Sequence, residues 1–180
     1  MIQNAFVMFA TGRDRPGIVD RITGLIYDAG CNLEDSRMAI LGEDFALIIL
    51  VTGRSEDLAT LRGKIPLVAR ELDLTVQVKE THAGPGARGG AEPHIRYSIH
   101  AVAMDHPGIV HRVTHVLSQN RVNISRLDTF LSNAPVTGTP VFALQIEAEV
   151  PTSVSVATLK AQLQEVAESE NIDLEMHAAG

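Results

Sequence analysis

Cysteine is almost absent from this 180-residue chain: Cys31 stands alone. No intrachain disulfide can form, and nothing points to an oxidising compartment. Tryptophan is missing and aromatic residues make up only 4%, so aliphatic side chains must build the core. Basic residues are scarce, 15 Lys and Arg against 22 Asp and Glu, for a formal net charge of -7. That deficit opposes direct nucleic-acid binding, which needs Lys and Arg to neutralise phosphates. No basic run and no aromatic-basic interleaving of the RNA-binding kind offsets it. The short apolar stretch from Met1 to Thr11 has no basic residues ahead of it and is too short to span a bilayer. Neither a signal peptide nor a membrane anchor is therefore expected, and the cytoplasm is the expected compartment. A P-loop, an HExxH motif, a nucleophile elbow and a Gly-rich dinucleotide loop are all lacking. The expectation is a chain without catalytic activity and without a cofactor.

What is present is a globular composition, 45% hydrophobic and 21% charged, and an internal duplication. Asp14-Arg15-Pro16-Gly17-Ile18-Val19 returns as Asp105-His106-Pro107-Gly108-Ile109-Val110, an offset of 105 − 14 = 91. Arg21 and Thr23 recur as Arg112 and Thr114, and Asn32-Leu33 as Asn123-Ile124, at the same offset. Phe45-Ala46-Leu47 matches Phe142-Ala143-Leu144 at 142 − 45 = 97, the growth falling in the Pro- and Gly-containing loop Ser132 to Pro140. Between the copies, His82 to His94 is rich in Gly and Pro and has no periodicity, which reads as a linker. The expected domains are 1–81 and 95–180, joined by 82–94.

Each copy alternates its periodicities. Ala5 to Thr11 is an apolar run suited to a buried strand; in the second copy Ile95, Tyr97, Ile99 and Ala101 alternate with polar residues. After Pro-Gly, Ile18, Ile22, Leu25, Ile26 and Ala29 fall at helical spacing, echoed by Ile109, Val113, Val116 and Leu117. Gly30 is a plausible helix stop. Two strand-like segments follow, Leu33 to Ile40 and Asp44 to Thr52, matched by Ile124 to Leu131 and Val141 to Val150. A second helical pattern runs through Leu58, Leu61, Ile65, Val68, Ala69 and Leu72, with a kink or break expected at Pro66. Its counterpart, Val156 to Ala167, has no proline. Closing strands are Leu74-Val76-Val78 and Ile172-Leu174-Met176. The order β-α-β-β-α-β, twice, predicts an α+β fold of two ferredoxin-like domains, antiparallel sheets with helices on one face.

The two copies differ on one strand. Phe142, Leu144 and Ile146 alternate with Gln145, Glu147 and Glu149, so that sheet has a wet face. In the first copy Ala46, Ile48 and Leu50 make the corresponding face apolar, which predicts that a partner sheet or subunit covers it. A simply more apolar strand is the alternative.

The turns Asp14-Arg15-Pro16-Gly17 and Asp105-His106-Pro107-Gly108 each join a strand to a helix. Asp is a good N-cap, Pro is tolerated in a first helical turn, and Gly lets a ligand approach the backbone. The amides of Gly17, Ile18 and Val19 would then be free donors at the positive end of a helix dipole, a place that suits a carboxylate. A bare strand-to-helix turn fits the same pattern. Asn32 and Asn123 open the next strands; their side chains both donate and accept and could hold an amino acid, or could simply serve a turn.

With these residues in view the chain resembles an ACT domain, the βαββαβ regulatory unit of amino-acid metabolism, in both copies. The first copy is similar to one branch in particular, the tandem-ACT repressors of the glycine cleavage system. The residues behind this are Asp14 to Val19, Cys31-Asn32-Leu33-Glu34-Asp35-Ser36-Arg37 and Leu41-Gly42-Glu43-Asp44-Phe45. The resemblance implies an accessory regulator that responds to a small amino acid, glycine or serine, and acts through a DNA-binding partner protein. The other implied role is a regulatory subunit of an amino-acid or folate enzyme. It places ligand contacts on Asp14, Arg15, Pro16, Gly17, Ile18, Asn32 and Leu33, and on Asp105, His106, Pro107, Gly108, Ile109, Asn123 and Ile124. A homo-oligomer is expected. The second copy departs from the branch, with Ser125-Arg126-Leu127-Asp128 in place of Glu34-Asp35-Ser36-Arg37.

Other candidates carry less. His111 and His115 have a metal-ligating i, i+4 spacing, yet no glutamate follows His111 and no third ligand is evident, so no metal is expected. His106 could meet a bound carboxylate. Cys31, with no nearby base and no CxxC, reads as a small apolar filler.

Overall fold

Alternation and helical spacing are realised in the expected order in both copies. The computed structural model describes residues 3–83, 92–134 and 138–179, and its chain divides into units 1–90 and 91–180. Unit 1 comprises β1 (Gln3–Arg13), α1 (Ile18–Asp28), β2 (Asn32–Leu41), β3 (Asp44–Thr52), α2 (Ser55–Glu71) and β4 (Leu74–Ala83). Unit 2 comprises β5 (His94–Met104), α3 (Ile109–Gln119), β6 (Asn123–Asn133), β7 (Pro140–Pro151), α4 (Val156–Glu170) and β8 (Asp173–Ala178). The sheets run β2-β3-β1-β4 and β6-β7-β5-β8, every pairing antiparallel. This is the ferredoxin-like arrangement.

Period two puts Phe6, Met8 and Ala10 of β1 on the same face as Phe45, Leu47, Ile49 and Val51 of β3. Ile18, Ile22, Leu25 and Ile26 of α1 and Leu58, Leu61, Ile65 and Val68 of α2 close over them. Unit 2 repeats this with Ile99, Ala101, Leu144, Ile146 and Ala148 under Val113, Leu117, Leu159 and Leu163. Full burial of a Leu or Ile contributes about 1.5–3 kcal/mol, so each unit has a core of its own.

Of the kink or break expected at Pro66, no break occurs: α2 is one helix from Ser55 to Glu71 with Pro66 inside it. Pro66 is exposed while Ile65 and Val68 beside it are buried. The apolar seam continues past the proline and holds the turn that proline weakens. The expected linker is claimed by strands at both ends, since β4 reaches Ala83 and β5 starts at His94. Its remaining positions from 84 to 91 lie outside the described residues.

The outer sheet faces differ as the sequence predicts. In unit 1 Ile48 is 46% exposed, with Val7, Phe9 and Leu50 half-buried around it. In unit 2 the matching places hold Ser98, His100, Gln145 and Glu147.

Candidate functional site

At one end of each sheet lies the Pro-Gly turn. Asp14 is not an N-cap: α1 begins at Ile18, its N-cap is Gly17, and no side chain caps it. Gly17 sits at φ 93 and Gly108 at φ 106, in the left-handed region. That conformation stops the helix from extending back to Pro16 or Pro107, so both prolines precede the helix and are not part of it. The open donors are accordingly the amides of Ile18, Val19 and Asp20, one residue later than the sequence suggested. Nothing lies within 4 Å of where a Cβ would stand on either glycine. Backbone geometry, not crowding, therefore demands glycine there. The Asp14 amide donates to the Glu43 carbonyl at 2.9 Å, and the Asp105 amide to that of Pro140 at 3.1 Å. Each turn is thereby tied to the neighbouring strand hairpin.

A second tie went unread in the sequence. Arg15 Nη2 donates to the Glu71 carbonyl at 3.3 Å, and Arg21 grips the Glu71 carboxylate with two bonds of 2.9 Å. The Arg21 guanidinium holds the Glu71 carboxyl below its ordinary value. Unit 2 rebuilds the clamp: His106 Nε2 lies 3.3 Å from the Glu170 carbonyl oxygen and Arg112 Nε 2.7 Å from the Glu170 carboxylate. Arg15 and His106 thus brace the turn against the end of the second helix. The repeated Arg21 and Arg112 were visible in the sequence. Their partners were not, because the glutamates have drifted to an offset of 170 − 71 = 99.

At the opposite end of each sheet stand the asparagines. Asn32 opens β2 opposite Thr52, and Asn123 opens β6 opposite Glu149. Leu33 and Ile124 turn inward and pack against the two cores. A β-bulge follows each of them. Asn32 lines a cleft of about 520 Å³ with Asn4, Gly30, Thr52, Gly53, Arg54 and Asp57. Arg54 bonds Asp57 at 2.7 and 3.1 Å and holds its carboxyl below the ordinary range. Asn4 Nδ2 donates to Ser55 Oγ at 2.6 Å. A wider groove of about 810 Å³, floored by Phe6 and bridged by Arg62 and Glu80, continues from Asn4 between α2, β1 and β4. The cleft thus holds a cation and an anion paired with each other and two carboxamides, one of them donating to Ser55. A zwitterion that enters between Arg54 and Asp57 would meet a charge of each sign.

The structure does not bring all the expected residues of one unit together. Gly17 and Asn32 flank α1, whose eleven residues span about 16 Å. Asp14 to Ile18 form one place and Asn32 with Leu33 another; the same holds for Asp105 to Ile109 and Asn123 with Ile124. Asn4, Thr52, Arg54 and Asp57 were missed because only strand pairing and the start of α2 carry them to Asn32.

Other reactive groups are set for little chemistry. Burial, with Asp57 second, pushes the Cys31 thiol up, which keeps it protonated and weakly nucleophilic. The rings of His111 and His115 stand 5.8 Å apart, and Gln119 Nε2 is 3.0 Å from His115 Nε2. Among the described residues, no group of three or more His, Cys, Asp or Glu is placed to hold a metal ion. No helix among them is long and apolar enough to cross a membrane.

Residues 4–79 match the ACT domain family. The chain is 33% identical over 158 residues to the glycine cleavage system transcriptional repressor of Escherichia coli (strain K12), covering 88% of this chain and 81% of that protein. An unknown protein from Galdieria sulphuraria has a crystal structure that superposes with a TM-score of 0.80 at 27% identity, covering 100% of both chains. The crystal structure of a proposed glycine cleavage system transcriptional repressor shares the fold, with a TM-score of 0.66 at 22% identity, over 97% of this chain and 96% of that one.

Proposed function

The chain belongs to the family of the glycine cleavage system transcriptional repressor, and from that premise we propose that it is an amino-acid-responsive regulator and not an enzyme. Its effector is a small amino acid, glycine first and serine second. Its output is control of glycine cleavage genes through a DNA-binding partner protein, in the cytoplasm, as a homo-oligomer. The observation that carries the effector reading is the cleft at Asn32, where Arg54 can meet a carboxylate, Asp57 an ammonium, and Asn4 and Asn32 either. The Pro-Gly turns offer a separate carboxylate contact through uncapped helix amides. An amino acid held at Asn32 cannot reach the turn of its own unit, because the length of α1 intervenes. The net charge of -7 argues for action through a protein partner, since phosphate contacts need Lys and Arg. The apolar outer face around Ile48 supports contact between copies.

Glycine has about five heavy atoms, so a ceiling of roughly 1.5 kcal/mol per atom limits its binding to about 7–8 kcal/mol. The Kd is then no tighter than a few micromolar, and values on the order of tens of micromolar or above are expected. Titration calorimetry with glycine, serine and larger amino acids tests the effector; no heat with any of them removes the amino-acid reading. Copurification tests the output: a transcription activator supports the proposal, and a metabolic enzyme in its place makes the chain a regulatory subunit.

A further inference from the structure

The asparagine ends of the two units are not equivalent. In unit 1 the register partner of Asn32 is Thr52. In unit 2 the partner of Asn123 is Glu149, the same position at the offset 149 − 52 = 97. Asn123 Nδ2 donates to Glu149 Oε2 at 2.8 Å, and Glu149 Oε1 lies 3.8 Å from His94 Nε2. The Glu149 side chain is only 12% exposed. An internal carboxylate therefore already holds the amide that a ligand's carboxylate would seek.

The other cleft residues also differ at the aligned positions of unit 2 among the described residues. Asn4 corresponds to Ile95, an offset of 95 − 4 = 91. In the helix register that aligns Leu61 with Leu159, an offset of 159 − 61 = 98, Arg54 corresponds to Thr152 and Asp57 to Ser155. Ser155 is the N-cap of α4, accepting from the Thr158 amide, so its hydroxyl is engaged in holding the helix. At the aligned positions Ile95, Thr152 and Ser155, the second carboxamide, the cation and the anion of the unit 1 cleft are not repeated.

We infer that each chain takes one zwitterionic α-amino acid, at the asparagine end of unit 1, and that Glu149 is the permanent internal occupant of the matching place in unit 2. This rests on the amino-acid reading above and adds where the site is and how many there are. The position holding Thr52 or Glu149 decides which unit is receptive. A carboxylate opposite the asparagine closes the place by hydrogen bonding it, whereas a short hydroxyl leaves it open.

The test is titration calorimetry of the full chain with glycine and with serine, paired with NMR shifts of the asparagine side-chain amides. The expected stoichiometry is one per chain, with the Asn32 amide shifting and the Asn123 amide still. Thr52→Glu, which copies unit 2, is expected to weaken binding at least tenfold. Thr52 is 4% exposed, so that variant also faces a folding requirement. Arg54→Ala, at a side chain 81% exposed, gives the same loss without one. Glu149→Gln is expected to leave the unit 1 affinity within twofold. A stoichiometry of two overturns the inference, as does full binding in both Thr52→Glu and Arg54→Ala. Absence of binding in the unaltered chain removes the amino-acid reading itself, a different outcome from binding at the wrong place.

Discussion

Unit 1 and unit 2 have the same topology and an apolar core on the helix side of each sheet, yet they differ at the centre of their outer sheet faces and at their asparagine ends. The apolar patch of Val7, Phe9, Ile48 and Leu50 is answered by Ser98, His100, Gln145 and Glu147. The open cleft at Asn32 is answered by an asparagine already bonded to Glu149. Core positions are constrained by packing, where one methylene is felt. Outer positions are constrained only by what they touch. Core substitutions between the copies stay apolar or aromatic, as at Met8 and Ile99 or Val51 and Ala148, whereas Ile48 and Leu50 give way to Gln145 and Glu147, so the two copies keep one fold while presenting different contacts.

The strongest challenge to this symmetry of cores is a matched pair of cavities. Leu61→Ala and Leu159→Ala remove side chains that are 1% and 0% exposed, at matching places on α2 and α4. Each is expected to cost about 2–5 kcal/mol, measured by denaturant unfolding of the full chain. Costs differing by more than about 2 kcal/mol would mean that the cores have diverged as the faces have.

An intermediate effect comes from the helix stops. α1 is followed by Gly30 at φ 72, and α3 by Arg121 at φ 57. Each donates its amide to a last-turn carbonyl, Tyr27 at 2.9 Å and Ser118 at 3.0 Å. A non-glycine in this conformation costs about 1 kcal/mol or more. Arg121→Gly is therefore expected to stabilise the chain by up to about 1 kcal/mol, and Gly30→Arg to destabilise it similarly. Thermal melts of the two variants should move in opposite directions.

The smallest effect concerns the clamps. Arg21 holds Glu71 with two bonds, whereas Glu170 receives Arg112 and lies near His106. Because the folded-state Glu71 carboxyl titrates below its ordinary 4.5, its contribution is present above that pH. It is lost as pH falls through the lowered folded value. Glu71→Gln is expected to lower stability slightly at neutral pH and to match the unaltered chain at strongly acidic pH. A gap that persists in acid would assign Glu71 a role other than its charge.

Much of this was legible without coordinates. Duplication, strand alternation and helix spacing led to the element order, because burial of one face imposes a period that the residues must carry. The α2 seam from Leu58 to Val68 was read correctly, and of the kink or break expected at Pro66 no break occurs. Local propensity was outweighed there by burial on either side of the proline. The Pro-Gly turns were found, but their N-cap was placed on Asp14, since the left-handed φ of Gly17 leaves no mark in the sequence beyond the glycine itself. The asparagines were singled out as well. Asn4, Thr52, Arg54, Asp57 and Glu149 were not, because none is near Asn32 or Asn123 along the chain.

The order of residues alone determined that there are two βαββαβ units, which side chains enter each core, and that the outer face around Ile48 and Leu50 is apolar where the second unit has Gln145 and Glu147. Those properties depend on periodicity, which is a property of neighbours in the chain. Which side chains surround each asparagine, and which end of the sheet each candidate residue occupies, was decided only by the tertiary structure. At the asparagine ends the pairing of β2 with β3 and of β6 with β7 joins residues 52 − 32 = 20 and 149 − 123 = 26 positions apart. A hydrogen bond such as Asn123 to Glu149 depends on that register, which no local pattern records.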